Sequence, residues 1–282
     1  MGEEIRPRGI SIRIVASEVT LPALERHHET AVHLERQLLR NIVLLKQLSL
    51  FPEDTIAHRV SDCTGSGSLV LLKVSASPYD RDVYPEADWV AFVSSDAPAL
   101  TERLLEHVPE NIGVVFKVAN DADRRLISTR YATEQRACYL SYTGQGSVER
   151  DIDVAVTVAA GNAVLDTLDK QGHARSWLQT LLDAGEAFVC ILGDQDRPQS
   201  LCFVFRNYGA VWEIGGVYTA ENSRGEGLAG KVVRTALAEL AKRNMLPRYQ
   251  VSADNSASIR VAEKLGMQCF MTLTHHLRLP RT

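Results

Sequence analysis

The chain has 282 residues, 45% of them hydrophobic, enough for about two domains with cores of their own at roughly 100–200 residues each. Its 31 basic and 35 acidic residues give a net charge of -4, and no Lys/Arg run reaches the length of a nucleic-acid or membrane patch. Neither DNA nor lipid is therefore expected as a partner. The five cysteines, Cys63, Cys138, Cys190, Cys202 and Cys269, form no C-x-x-C or Cys/His pattern, which suits a reducing cytosol and points to no metal. MGEEIRPRG at the start has charge but no apolar run behind it, and no window approaches the roughly 18 apolar residues of a membrane span. A cytoplasmic location is expected.

Residues 22 to 48 read as one long amphipathic helix, because Ala31, Leu34, Leu38, Ile42 and Leu45 recur at three- and four-residue steps. The period then shortens. SLVLLKVSA (68 to 76) and DWVAFVSS (88 to 95) read as strands, 97 to 108 as a helix, GVVFKVA (113 to 119) as a strand, 121 to 131 as a helix, and ACYLSYT (137 to 143) as a strand. The polar stretch 144 to 151 reads as a linker.

The second half begins with DVAVTV (153 to 158), then helical ground from about 163 to 184. AFVCIL (187 to 192) and SLCFVFR (200 to 206) read as a hairpin, followed by a strand (210 to 219), a helix (227 to 245), a strand (248 to 253), a helix (256 to 266) and a closing strand (268 to 279). The halves share an order of elements without residue-level similarity, so a duplicated ancestor is an expectation of topology alone. The fold class is α/β (α+β), with an N-terminal lobe at 1–143 and a second domain at 144–282.

SRGEGLAGK (223 to 231) fits two phosphate-binding devices. Gly225, Gly227 and Gly230 match the dinucleotide G-x-G-x-x-G, but that turn belongs after the first strand of its domain with two βαβ halves to follow, and too little chain remains. The other device is an R-x-x-G-x-A loop opening a helix. Its glycines let the backbone turn its N–H groups inward, and the helix N-terminus adds partial positive charge, so a pyrophosphate fits. Arg224, Gly225, Glu226, Gly227, Leu228, Ala229 and Gly230 would donate mainly through main-chain N–H groups. A ligand-free strand-to-helix turn is the plain alternative.

Strand, R-x-x-G-x-A loop, helix, strand, N-x-x-S, helix and K-L-G follow in order between about 210 and 270, from EIGGVYTAENSRGEGLAGKVV to VSADNSASIRVAEKLGMQ. In this order they resemble the core of the GNAT superfamily of N-acetyltransferases, with a fainter likeness back to about Asp151. The resemblance implies a mixed sheet flanked by helices, and acetyl-CoA as acyl donor to a primary amine by direct attack in a ternary complex. It places the pantetheine arm against Val217, Tyr218 and Thr219, where the strand parts from its parallel neighbour. Gly215 and Gly216 just before suit a bulge. Val217 N–H would hold the oxyanion.

Glu213, in the apolar strand VWEIGGVY, is the candidate base by resemblance, a structural ion pair or an outward-facing charge being the alternatives. Asn255 and Ser258 fit a ligand contact or a helix cap. Ala262 stands where many members carry the tyrosine that protonates the thiolate, so no general acid is assigned. In the N-terminal lobe, Asp96 and Pro98 occupy the corresponding loop in place of glycines, so that lobe is expected to be a degenerate, non-catalytic GNAT-like lobe that walls the acceptor pocket, as the resemblance to tandem members of the superfamily implies, with a free-standing regulatory domain as the alternative. A catalytically inactive acyl-CoA sensor is the alternative function. CTGSGSLVLLK (63 to 73) lacks G-K-[ST] and reads as a turn into a strand; His27/His28 and His275/His276 read as surface or packing residues; Cys190 and Cys202 read as core thiols.

Overall fold

The computed structural model describes residues 21–144 and 148–280. MGEEIRPRG, and 145–147 of the expected linker, lie outside the described residues. The helix expected over 22 to 48 is two helices, α1 (Leu21–Glu35) and α2 (Ile42–Leu50). The break has a local cause. Asn41 Nδ2 takes the carbonyl of Leu34 at 2.9 Å, and Arg40 reaches across to the Ser95 carbonyl at 2.6 Å and to Asp96 at 3.2 Å. Asn in this role offers the backbone an alternative to continuing the helix.

β1 (Thr55–Asp62) and β2 (Gly65–Lys73) form a hairpin, so the expected turn into a strand is joined by a strand the sequence reading missed. A short helix, α3 (Pro78–Val83), was missed as well. Then come β3 (Trp89–Ser95), α4 (Pro98–Leu105), β4 (Val114–Val118), α5 (Asp121–Arg130) and β5 (Glu134–Thr143). The second half runs β6 (Val154–Thr157), α6 (Asn162–Asp169), α7 (Arg175–Asp183), β7 (Ala187–Asp194), β8 (Arg197–Tyr208), β9 (Val211–Thr219), α8 (Leu228–Lys242), β10 (Leu246–Ser252), α9 (Ser256–Lys264) and β11 (Gln268–Arg278). The helical ground at 163 to 184 is thus also split, and the expected hairpin is β7–β8.

All strands join one sheet in the order β1-β2-β3-β4-β11-β5-β10-β9-β8-β7-β6. Pairing is antiparallel except for β3–β4 and β9–β10. The repeated order of the sequence is present as β3-α4-β4-α5-β5 and β9-α8-β10-α9-β11. The line at 143/144 divides the chain but not the sheet: β11 inserts between β4 and β5, and β5 between β11 and β10. Each half therefore completes its sheet with the last strand of the other.

Side-chain alternation sets the layers. Trp212 and Ile214 of β9, Tyr249 and Val251 of β10 and Tyr142 of β5 pack under α8, with Val232, Val233, Ala236, Leu237 and Leu240 at helical spacing. The opposite face of the C-terminal half meets α6 and α7 through Leu165, Leu168, Leu178, Val189, Leu201 and Phe203. In the N-terminal half, α1 and α2 cover one face and α4 and α5 the other. Cys190 and Cys202 are buried free thiols facing each other across β7 and β8. His275 and His276 are buried in β11, and His275 Nδ1 lies 2.6 Å from the Tyr84 hydroxyl. Among the described residues no helix is long and apolar enough to cross a membrane, and no three His, Cys, Asp or Glu side chains gather as a metal site.

The strand exchange makes a direct prediction. A fragment of residues 144–282 keeps β10 and β11 but lacks β4 and β5, leaving one edge of β10 and both edges of β11 unpaired, which is a template for aggregation. It is expected to elute as aggregates in size-exclusion chromatography, and a soluble, folded monomer would contradict the pairing.

Candidate active site

β9 and β10 pair in parallel only at Val211↔Leu246, Trp212↔Pro247 and Glu213↔Arg248. Beyond that point the strands part, and β10 continues on its other side against β5 from Tyr249 to Ser252. The free edge of β9 carries Val217, Tyr218 and Thr219 into a cleft of about 710 Å³. The N-terminal half has no such gap, because β3 and β4 stay paired from Trp89↔Val114 to Val93↔Val118, the last residue of β4.

The parting of β9 has identifiable causes. A bulge opposite Cys202 shifts the β8–β9 register between Phe203↔Gly215 and Leu201↔Tyr218. Gly216 sits in it at φ 57, where a Cβ would meet Leu168 Cδ2 at 2.4 Å, so only glycine fits. At the mouth of the gap Glu213 is buried in an ion pair. Its Oε2 accepts from Arg248 Nη1 at 2.5 Å and from Asn207 Nδ2 at 2.9 Å, and its Oε1 accepts from the Gln250 amide at 3.1 Å. The Gln250 N–H thus bonds to a side chain of β9 instead of its backbone. The carboxylate stands between the strands as a spacer, while Arg248 also donates to Ser141 Oγ of β5 at 3.1 Å. Lys46 of α2 faces the same pair: burial lowers its pKa, and the Glu213 charge acts in the opposite sense.

The loop after β9 leads into α8 through Gly225 at φ 88 and Gly227 at φ 78, and a Cβ at Gly225, Gly227 or Gly230 would project into open space. Among the described residues the amides of 225–229 have no protein acceptor, whereas Gly230 N–H turns back to Gly227 O at 3.0 Å. Several amides left free at one helix N-terminus are an anion cradle. Arg224, Leu228 and Ala229 line the cleft with the three glycines; the Glu226 side chain is exposed and outside the lining. Arg234, Arg260 and Lys264 also reach the cleft, and none pairs with a carboxylate among the described residues. Sequence reading missed this basic rim, whose members are scattered over α8 and α9 and meet only in the fold.

Asn255 and Ser258 both line the cleft. Asn255 Oδ1 accepts from the Ser258 amide at 3.0 Å, so it caps α9. Ala262 is fully buried in the core under α9 and is not among the residues that line the cleft. Tyr249, in the same core, has its phenol pushed up to about 12 by burial, against a lowering from Ser258. In the N-terminal half Asp96 takes the place of the glycine loop. It accepts from the Ser66 amide at 3.0 Å, which holds its pKa below the usual value, and Pro98 in the first turn of α4 lacks an N–H to offer.

The sequence matches the model of the Acetyltransferase (GNAT) family over residues 165–267. No curated protein matches. The fold is similar to those of a GCN5-related N-acetyltransferase from Sphaerobacter thermophilus (11% identity, 85% of each chain, TM-score 0.55) and a GNAT-family acetyltransferase from Colwellia psychrerythraea (11% identity, 86% of this chain and 97% of that one, TM-score 0.54). A GCN5-related N-acetyltransferase from Kribbella flavida is similar too (13% identity, 85% and 95%, TM-score 0.51). Residues 165–267 of this chain are thus similar in sequence to the acetyltransferases of the GNAT family, and the fold around them is similar to those of the acetyltransferases above.

Proposed function

We propose that the protein transfers an acetyl group from acetyl-CoA to a primary amine by direct attack while both substrates are bound. The observation that carries this reading is the set of orphan amides at 225–229 beside the open edge of β9. The diphosphate takes those amides, Arg224, Arg234, Arg260 and Lys264 supply counter-charge, and the pantetheine arm runs along Thr219, Tyr218 and Val217 toward the bulge, past Asn255 and Ser258. The Val217 N–H is the oxyanion donor in this reading. No cysteine lines the cleft, which favours direct attack over an acyl-thiol intermediate.

Glu213 was the candidate base on the sequence. Three donors from β8 and β10, one of them a buried guanidinium, occupy its two oxygens and tie it to both sides of the gap, so its role in this reading is to hold β9 and β10 apart. The N-terminal lobe carries no acyl-CoA: its strands are closed and its loop bears Asp96. Through Lys46 of α2 and Ser141 of β5 it borders the acceptor side of the gap.

One second reading, an acyl-CoA sensor that binds without turnover, is favoured by the alanine at 262, which has no hydroxyl to give the departing thiolate. Calorimetry and a thiol-release assay over a panel of amines separate the two. The expected result is one acetyl-CoA per chain and amine-dependent release of CoA. Binding with no release for any amine class establishes the sensor instead, and two equivalents bound would contradict a silent N-terminal lobe.

A further inference from the structure

His173 lies in the turn between α6 and α7, where its amide closes α6 by donating to Leu168 O at 3.1 Å. That turn folds over the β9 bulge. Gln171 Nε2 donates to Val217 O at 3.4 Å, and His173 Nε2 is 3.6 Å from the point a Cβ on Gly216 would occupy. The ring stacks on Trp177 of α7 with centroids 6.2 Å apart, and Trp177 packs edge-on against Phe205 of β8 at 5.0 Å. Among the described residues no side chain or backbone group hydrogen-bonds either ring nitrogen.

The surroundings are apolar or neutral: Leu168 from α6, Trp177 from α7, Phe203 from β8 and Gly216 from β9. At the helix ends that flank the turn, Asp169 is engaged with the Arg175 amide and Arg175 with Asp166, and Lys170 in the turn is exposed. Burial pushes the imidazole pKa below its ordinary value, so the ring is neutral at pH 7 and its free nitrogen is a proton acceptor. A histidine whose ring nitrogens have no partner among the described residues, beside a strand position where a Cβ would clash, is placed as a reactive group would be.

We propose that His173 is the general base of the acyl transfer. The inference rests on the acetyltransferase reading above, with the thioester at the bulge. His173 takes one proton from the acceptor's ammonium group, leaving a neutral amine. The C–N bond then forms and the C–S bond breaks; the second proton on nitrogen goes to the departing thiolate, giving CoA thiol. The proton on His173 passes to water, so the balance is one amide, one thiol and one released proton.

The test compares the full-length wild type with His173→Gln, using acetyl-CoA with water alone and with spermidine, lysine, phenethylamine and glucosamine as amine probes. The expected result is about a 100-fold fall in kcat with unchanged acetyl-CoA affinity by calorimetry. In the wild type kcat/KM falls as pH drops through the lowered imidazole pKa; in the variant that limb is absent, and added imidazole restores part of the rate. A variant within twofold of wild type that keeps the acid limb overturns His173 and leaves the acyltransferase reading intact. A wild type that binds acetyl-CoA but releases no thiol, with water or any probe, overturns both. A variant that has lost acetyl-CoA affinity as well as rate assigns the residue to shaping the cleft and overturns it as base.

Discussion

Replacing Arg248 with methionine is expected to lower the stability of the fold by about 3–5 kcal/mol, because it strands a buried carboxylate. Glu213 and Arg248 are 7% and 4% exposed, and the guanidinium is the only cation within bonding distance of that carboxylate among the described residues. The Asn207 amide and the Gln250 N–H remain, but neither carries charge. In a protein of this size the loss corresponds to a fall of about 10 °C in melting temperature. The double variant Glu213→Leu with Arg248→Met removes both charges, and much of the stability should return. Its acetyl-CoA affinity should not, since the spacer at the mouth of the gap is gone. Melting curves and calorimetry on the two variants read both effects; an Arg248→Met protein that melts with wild type would show the pair to be hydrated and unimportant.

Gly227→Ala is expected to raise the acetyl-CoA dissociation constant by about 100-fold, close to 3 kcal/mol at 1.4 kcal/mol per tenfold. A left-handed backbone with a Cβ costs about 1–2 kcal/mol in the fold, and that Cβ meets no protein atom within 4 Å because it projects into the open cleft. The affinity loss is what displacing a diphosphate from two charge-assisted amide contacts amounts to, at about 1.5–3 kcal/mol each. Gly209→Ala is the matched control. Gly209 also has a positive φ, 53, and open space around its missing Cβ, but it lies in the β8–β9 turn away from the cleft. It should lose similar stability and bind acetyl-CoA as wild type does. Equal affinity in both variants would remove the loop from the binding site.

Local pattern carried the parts of the molecule that depend on neighbours in sequence. The glycine loop, the apolar spacing of α8, the β7–β8 hairpin and the bulge glycines were all legible, because each is decided within a few residues. α1 and α2 were read as one helix because their apolar period continues through the break; the interruption is made by Arg40 and Asn41 finding partners at Ser95 and Leu34. Glu213 was legible as a buried acid with an ion pair as one alternative, but its partner was not, since Arg248 lies 35 residues away and only the parallel register brings them together. His173 carries no motif at all, and its meaning comes from a strand more than forty residues on. The crossing of β5 and β11 is the extreme case, for no short-range signal records which edge a strand will find.

That crossing also sets an order of events. The ribosome delivers β4 and β5 long before β11, yet β11 is the strand that lies between them. Until residues 268–278 emerge, the first half holds two interior edges open, so its completion coincides with that of the second half. Neither half can mature ahead of the other, and the half whose parallel strands stay closed is a partner in folding for the half whose strands part.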